Sequence, residues 1–241
     1  MIKFRKHKIS SLERLEQQRQ QFIQRSDIPN AIRRWFVSPV ASVDSVFTAL
    51  PLVVMDFETT GLDPESDEIL SVGLVDINES VLSLSSAKHY YQLSLAGVKP
   101  ETAVINHIVP ETLHGGLETQ EFAEKILRSI CGKVVVVHCA IIEKRFLARL
   151  LQLPQGVELP VIWIDTLVLE SSLYVNKLSF LNDYRLCKIR EKRQLPAYLA
   201  HNALADAVAT GELLLVLMQE IFASGSEATL AQLYARSCGY R

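Results

Sequence analysis

Two acidic residues in an apolar segment carry the clearest chemical signal in this sequence. Asp56 and Glu58 stand in the stretch 52–58, LVVMDFE, whose other residues are apolar. Such a stretch predicts a buried central strand, and residues two apart on a strand point to the same face. Two carboxylates held about 4 Å apart repel each other by about 1–4 kcal/mol unless a cation lies between them. The pair therefore predicts a divalent-metal site, although the tripeptide alone also fits a solvated strand end.

A histidine and an aspartate at the start of a predicted helix form a second pair. Asn202 favours an N-cap, which places Asp206 in the first turns of the helix and leaves His201 on the preceding loop. A helix can hold a metal-binding carboxylate in place, while a histidine that titrates near neutral pH can accept a proton from water. Taken alone, the two residues also fit a surface histidine and an acid that compensates the helix dipole.

The two pairs and their surroundings resemble the DnaQ-like 3′–5′ exonucleases of the DEDDh group, a family related to the proofreading subunit of the bacterial replicative polymerase. The string DFETTGL at 56–62 is similar to the first motif of that family, and HNALAD at 201–206 is similar to its H-x4-D motif. The resemblance covers roughly residues 52–222 and implies an RNase H-like fold. It also implies three metal ligands, Asp56, Glu58 and Asp206, and a general base, His201.

The second motif of the family is the place where this sequence departs from the usual pattern. The usual form is H-N-x-x-F-D, and the matching stretch at 138–143 is HCAIIE, so Glu143 stands where an aspartate is expected. Glutamate keeps the negative charge and adds one methylene group. The resemblance implies that Glu143, like Glu58, binds metal and takes part in catalysis. The other interpretation is a first-turn glutamate that only complements the helix dipole.

The resemblance also implies contacts with the substrate. In the first motif, Thr59 is implied to contact the terminal nucleotide and Leu62 to pack against its base. The segment INHI at 105–108 resembles a family segment near the terminal nucleotide, and His138 is implied to line the floor of the site. The substrate-binding residues implied by these motifs are Thr59, Thr60, Gly61, Leu62, His107 and His138.

A cluster of basic residues lies shortly before the H-x4-D motif. Five basic residues fall within 185–193 against one acid, Glu191. We interpret this stretch as a loop near the active site that holds backbone phosphates by sequence-independent contacts, with Arg190 and Arg193 as the residues assigned to this role. A solvated charged loop without this role is the alternative.

The elements that must position these residues follow an α/β pattern after residue 51. Predicted strands cover 52–58, 69–77, 81–95, 133–138 and 161–164, and predicted helices cover 120–130, 141–151, 166–184 and 202–222. Their order indicates three neighbouring antiparallel strands followed by helix-linked parallel ones. Together with the resemblance, the fold class is α/β, an RNase H-like mixed five-stranded sheet flanked by helices, with an N-terminal helical extension.

Three parts of the chain are distinguished: a basic, mostly helical extension at 1–50, a DnaQ-like exonuclease domain at 51–224 and a short C-terminal tail at 225–241. The extension has nine Lys and Arg against four Asp and Glu, a balance of +5, and the remainder has 16 against 23, a balance of −7. Its residue pattern predicts an amphipathic helix over 10–25 and a shorter helical piece over 31–37. Such a helix must pack on something.

Composition excludes several classes of protein. With 49% hydrophobic and 22% charged residues, this chain of 241 residues is neither disordered nor of low complexity. Its four cysteines form no C-x-x-C pair, which argues against a zinc knuckle and a disulfide scaffold. Its apolar runs are too short to span a bilayer, and its basic N-terminus lacks the apolar stretch of a signal peptide. We expect a cytoplasmic protein without a membrane partner.

The predicted function is removal of nucleoside 5′-monophosphates from the 3′ end of a nucleic acid, with single-stranded DNA as the first choice of substrate and two Mg²⁺ or Mn²⁺ ions as cofactors. Three alternatives stay open. The substrate is RNA or a short oligonucleotide, or the domain binds nucleic-acid ends without cleaving them, or the chain is a subunit docked on a polymerase or another protein through its extension.

Overall fold

The computed structural model describes residues 10–42, 44–94, 108–174, 183–222 and 228–238. Its centre is a mixed sheet of five strands, which are β1 (Leu52–Thr59), β2 (Ile69–Asn78), β3 (Val81–Tyr91), β4 (Val134–Val137) and β5 (Trp163–Asp165). The spatial order is β3-β2-β1-β4-β5. β1 pairs antiparallel with β2 and parallel with β4, β2 pairs antiparallel with β3, and β4 pairs parallel with β5. The predicted sheet and its topology are confirmed.

Helices pack around this sheet, and some of them precede it in the chain. They are α1 (Ser11–Gln24), α2 (Asn30–Arg33), α3 (Pro110–His114), α4 (Thr119–Ile130), α5 (Ala140–Leu150), α6 (Thr166–Ser172), α7 (Leu186–Lys192), α8 (Ala203–Ile221) and α9 (Leu230–Ser237), with short 3-10 turns at Arg34–Phe36 and Phe47–Ala49. None of the helices in the described parts of the chain is both long enough and apolar enough to cross a membrane.

The alternation of side chains along β1 decides where its two acids point. Leu52 and Val54 belong to the apolar core that α8 completes, on one face of the sheet. Because successive side chains of a strand point to opposite faces, Asp56 and Glu58 lie on that same face, just beyond the apolar residues. The acids therefore meet the beginning of α8.

The predicted amphipathic helix of the extension is confirmed, and its apolar side chains face this chain's own domain. α1 begins with a capping box between Ser10 and Glu13. Leu12 and Leu15 are buried in the core that contains α8, whereas Phe22 is buried in the core on the other face of the sheet. The apolar stripe of α1 is therefore covered within the fold.

The predicted basic loop at 185–193 is wrong, because most of it forms α7. Leu186 and Ile189 lie three residues apart and are both buried, so the stretch has the apolar face of a helix despite its charges. The predicted tail at 225–241 contains α9, which starts with a capping box between Thr229 and Gln232. The strand predicted over 81–95 ends at Tyr91. The helix predicted over 166–184 is described only to Ser172, and 175–182 lies outside the described residues.

Candidate active site

Three carboxylates meet where β1 ends and α8 begins. Asp56, Glu58 and Asp206 each place a carboxylate oxygen within 4.8 Å of those of the other two. Asp56 and Glu58 are set by the pleat of β1, and Asp206 by its position in the first turn of α8. The structure thus brings together three of the four predicted metal ligands, which are separated by about 150 residues in the chain.

A glycine of β2 allows α8 to come this close. Gly73 pairs with Asp56 across the β1–β2 ladder. A Cβ atom at this position would collide with the backbone of Ala203 and Leu204 at the start of α8. The missing side chain therefore lets the helix rest directly on the sheet, which brings Asp206 to the strand acids. The residues around Gly73 in the sequence do not indicate this role.

Local hydrogen bonds hold Asp206. The side chain of Asn202 caps α8 by accepting from Ala205 N–H at 3.1 Å, as predicted. The Asn202 N–H donates to Oδ2 of Asp206 at 3.0 Å, and the Tyr198 hydroxyl donates to Oδ1 at 2.9 Å. Both oxygens of Asp206 are thus bonded. The role of Tyr198 was missed, because a contact across an irregular segment leaves no periodic signal.

Burial and mutual repulsion disfavour the charged forms of these acids. Burial raises the pKa of Asp56 well above its usual range, and the charges of Asp206, Glu143 and Glu58 raise it further. Burial, followed by the charge of Asp206, raises the pKa of Glu58 to about 8. The pKa of Asp206 is also raised, chiefly by burial. A divalent cation among the carboxylates would relieve this repulsion, so the donor set fits a hard metal ion.

Glu143 approaches the cluster from α5 without joining it. It is only 4% exposed, and its Oε2 has no hydrogen-bond partner among the described residues. Its charge raises the pKa of Asp56, and burial raises its own pKa well above the usual range. Glu143 is not one of the three residues whose oxygens lie within 4.8 Å of one another. A buried carboxylate oxygen without a donor fits a ligand of a second cation.

Asp165 holds the helix that carries Glu143. Its carboxylate accepts from Leu167 N–H at 2.9 Å and so caps α6. It also accepts from Cys139 N–H at 3.0 Å and from Ala140 N–H at 2.9 Å, at the start of α5. The Asp165 N–H donates to Ser237 Oγ of α9 at 2.6 Å. One buried carboxylate therefore ties two helix starts together, which the sequence did not reveal.

His201 lies on the loop before α8, as predicted. It is exposed, and its φ of 64° falls in the left-handed region, which is uncommon for a residue with a side chain. It lies near enough to Asp206 for its charge to lower the pKa of that acid, although burial dominates there. Its role as general base stays a prediction.

The loop after β1 is closed by Asp67. Thr60 Oγ1 donates to the Asp67 carboxylate at 3.0 Å, and Thr59 Oγ1 donates to the Gly61 carbonyl at 2.6 Å. A Cβ at Gly61 would collide with the Asp67 carboxylate, so a larger residue here would displace that side chain. Leu62, at the tip, is 76% exposed. The substrate contacts of this loop stay predictions.

His138 is engaged on both ring nitrogens. Nδ1 lies 2.8 Å from Thr166 Oγ1, and Nε2 lies 2.9 Å from the carbonyl oxygen of Tyr184. Burial lowers its pKa, which favours the neutral ring. These bonds fit a structural place on the floor of the site. His107, the other histidine implied to contact substrate, lies outside the described residues.

Arg190 and Arg193 are engaged inside the fold. Arg190 is 3% exposed and donates to Glu212 at 2.7 Å. Arg193 donates to Glu170 and to Glu220, each at 2.8 Å. Guanidinium groups that are bonded in this way point at protein acceptors, which disfavours the predicted contact with backbone phosphates.

Comparison with protein families finds a match over most of the chain, since residues 53–214 fit the model described as Exonuclease. The DNA polymerase III PolC-type of Thermotoga petrophila is 31% identical over 196 residues, which are 79% of this chain and 13% of that protein. The DNA polymerase III subunit epsilon of Rickettsia prowazekii is 27% identical over 175 residues, which are 70% of this chain and 75% of that protein. This chain therefore spans a small part of the PolC-type relative.

Solved structures share the fold. Exonuclease X in complex with 5′ overhanging duplex DNA matches with a TM-score of 0.59 and 21% identity, over 77% of this chain and 99% of that one. Exonuclease I of E. coli in complex with a dT13 oligonucleotide matches with a TM-score of 0.60 and 15% identity, over 73% of this chain and 43% of that one. At these identities the likeness shows the fold, which is the RNase H-like fold that the sequence predicted.

Proposed function

The chain belongs to the Exonuclease family, and from that membership we propose that it removes nucleoside 5′-monophosphates from the 3′ end of a DNA strand. The observation that carries the proposal is the carboxylate cluster of Asp56, Glu58 and Asp206, with oxygens within 4.8 Å of one another at the end of β1. Buried acids that repel one another cost stability unless they bind a cation, which makes a purely structural role for the cluster unfavourable.

Two divalent ions, Mg²⁺ or Mn²⁺, fit the donor set. Asp56, Glu58 and Asp206 would hold one of them, and the unpartnered Oε2 of Glu143 together with Asp56 would supply oxygens for another. When bound, such ions lower the pKa of a water molecule and balance the negative charge that develops on the phosphate.

The chain's own residues have separate tasks in this hydrolysis. The exposed imidazole of His201 takes the proton of the attacking water, which its place on the loop beside Asp206 permits. The exposed side chain of Leu62 packs against the terminal base. His138, neutral and bonded on both nitrogens, supports the floor of the site and transfers no proton.

Single-stranded DNA is the substrate that we favour. The two relatives compared above are named as DNA polymerase III proteins, and one of the solved neighbours is bound to a dT13 oligonucleotide. The exposed Leu62 can pack on the face of any unpaired base, because such packing needs no sequence-specific hydrogen bond. RNA and short oligonucleotides would present the same faces, so both belong in the test.

A second function, binding of nucleic-acid ends without cleavage, is favoured by one observation. Glu143 replaces the usual aspartate and lies outside the cluster of oxygens within 4.8 Å. An incomplete second metal site would allow binding and slow the hydrolysis.

A polymerase partner, which the name of the epsilon relative suggests, would contact the polar outer face of α1, since Leu12, Leu15 and Phe22 are buried.

Digestion of 5′-labelled single-stranded DNA and RNA with Mg²⁺ or Mn²⁺ tests the proposal. We expect a ladder of products shortened by one nucleotide at a time, present with the wild type and lost in Asp56→Ala. The rate of Glu143→Asp shows whether the longer side chain is a tuned ligand. End binding by folded protein without any ladder would favour the second function.

A further inference from the structure

The hydroxyl group of Tyr198 and the backbone N–H of Asn202 hold the Asp206 carboxylate from two sides. They donate to Oδ1 at 2.9 Å and to Oδ2 at 3.0 Å, respectively. Because each oxygen has its own donor, rotation of the carboxylate would break both bonds. A phenol carries its proton at neutral pH, so the hydroxyl group is the donor in its bond to the carboxylate.

The ring of Tyr198 is in turn fixed by the buried guanidinium group of Arg190. The guanidinium carbon lies 5.1 Å from the ring centroid, within the range of a cation–π contact. Its nitrogens donate to the carbonyl of Ala209 at 2.8 Å, to the carbonyl of Pro196 at 2.9 Å and to Glu212 at 2.7 Å. Ala209 and Glu212 belong to α8, and Pro196 to the segment before it. Arg190 thus joins that segment to the helix of Asp206.

His201 lies between the two attachments to Asp206. Tyr198 stands three residues before it and Asn202 immediately after it. The left-handed backbone of His201, with φ of 64°, is unfavourable for a residue with a side chain and persists only where surrounding contacts hold it. The bonds from both sides to Asp206 are such contacts.

We propose that Tyr198, braced by Arg190, is a positioning residue that fixes the Asp206 carboxylate for a metal ion and keeps the His201 loop beside it. The inference rests on the proposed function, because it assigns roles within the same site. Arg190 touches neither phosphate nor metal in this scheme and acts through Tyr198 and the backbone of α8. The role replaces the phosphate contact that the sequence predicted for Arg190.

Tyr198→Phe tests the positioning role of the hydroxyl group, with Tyr174→Phe as the matched control. The substitution removes only the hydroxyl group and keeps the ring that Arg190 contacts. Tyr174 makes the same type of bond, donating at 3.2 Å to Glu170, a fully buried carboxylate outside the proposed metal site. Titration with Mn²⁺, followed by the electron paramagnetic resonance of the free ion, measures binding without turnover. Rates at varied DNA and Mn²⁺ concentrations separate kcat from KM.

We expect Tyr198→Phe to weaken Mn²⁺ binding by about 10-fold or more, since a bond to a metal ligand is lost. At limiting Mn²⁺ its kcat should fall while KM for DNA stays near the wild-type value, and high Mn²⁺ should restore much of the rate. Tyr174→Phe should leave the Mn²⁺ affinity and kcat unchanged, even if its melting temperature falls as much as that of Tyr198→Phe.

Arg190→Lys tests whether the guanidinium group of Arg190 holds Tyr198 in place. Lysine keeps the charge and loses the fork that reaches both Pro196 and α8. We expect weaker Mn²⁺ binding than in the wild type, and little further loss when Tyr198→Phe is added. Independent effects of the two substitutions, which multiply in the double variant, would contradict the arrangement in series.

Equal Mn²⁺ affinity in Tyr198→Phe and Tyr174→Phe would overturn the inference. Failure of the proposed function has a different result, namely a wild-type chain that shows no metal-dependent hydrolysis of DNA or RNA. The Mn²⁺ titration judges the positioning role in either case, because it requires binding alone.

Discussion

Gly73 lies directly opposite Asp56 in the β1–β2 ladder, and the first residues of α8 rest on its Cα. The distance between the strand acids and Asp206 is therefore set by a residue that has no side chain. Other contacts, such as the hydrogen bond from Tyr198, orient the Asp206 carboxylate on the helix that this close approach positions.

Gly73→Ala should move Asp206 away from the strand acids Asp56 and Glu58. The new Cβ would overlap the backbone of Ala203, so α8 must shift, and overpacking of this kind costs about 1–3 kcal/mol of stability. Urea unfolding measures the loss of stability, and Mn²⁺ titration measures the loss of metal affinity that we expect with it. Gly115→Ala is the matched control, because its Cβ would meet nothing nearer than 3.8 Å. Unchanged Mn²⁺ binding in Gly73→Ala would show that the cluster does not depend on this contact.

Metal ions should stabilise the protein more as the pH rises. Burial and the charge of Asp206 raise the pKa of Glu58 from 4.5 to about 8. Between these values the folded chain binds more protons than the unfolded one, so the metal-free protein loses stability with rising pH. Bound Mg²⁺ or Mn²⁺ offsets this loss. The increase in melting temperature on adding metal should therefore be larger near about pH 8 than near about pH 5.

An equal increase at both pH values would argue against carboxylates that repel one another in the metal-free site. Glu58→Gln provides the control, since an amide in this position carries no charge to be relieved. Its metal-dependent increase should be smaller and should vary less with pH.

Asp165→Asn should weaken the site through α5. The amide keeps the shape of the side chain and loses the charge that binds the N–H groups of Cys139 and Ala140. Loss of a helix cap costs about 0.5–2 kcal/mol, and here it also loosens the helix of Glu143. Ser10→Ala removes the cap of α1 and serves as the control. If both variants lose similar stability but only Asp165→Asn needs more Mn²⁺ for activity, the positioning of Glu143 is supported.

The extension should respond to acid through one partly buried ion pair, Arg19 and Glu16. The hydrogen bond from Arg19 holds the pKa of Glu16 down at about 2, below its ordinary value of 4.5. A lowered pKa contributes stability above about pH 4.5, and this is lost as the pH falls towards about 2. Glu16→Gln should therefore lower the melting temperature at neutral pH and make it less sensitive to acid. Glu121→Gln, whose partner Lys125 is 3.6 Å away on the surface, should change little.

The predictions that succeeded from sequence rest on short stretches of chain. Asp56 and Glu58 are placed by the alternation of one strand, and Asn202 is recognised as a cap from the residues that follow it. Each of these relations is complete within about five residues, so residue type and spacing are sufficient to reveal it.

The relations that the sequence did not reveal join distant segments. Gly73 matters because α8 crosses it, and no residue near position 73 in the sequence indicates where that helix packs. The basic neighbours of Arg190 predict a phosphate ligand, whereas its acceptors at Ala209 and Glu212 lie on another helix. A charged residue is assigned to solvent or ligand by default, and only the packing shows that the fold itself supplies the partner.

The hydroxyl group of Ser237 accepts the N–H of Asp165 and so connects α9 to the end of β5. A protease that cut between α8 and α9 would leave every proposed metal ligand in place and yet remove the covalent link to this support. Loss of activity after such a nick, with the four carboxylates intact, would be a mechanical failure of the scaffold rather than a chemical one. Shortened versions of the chain prepared for crystallisation or enzyme engineering should therefore retain α9 together with the catalytic domain.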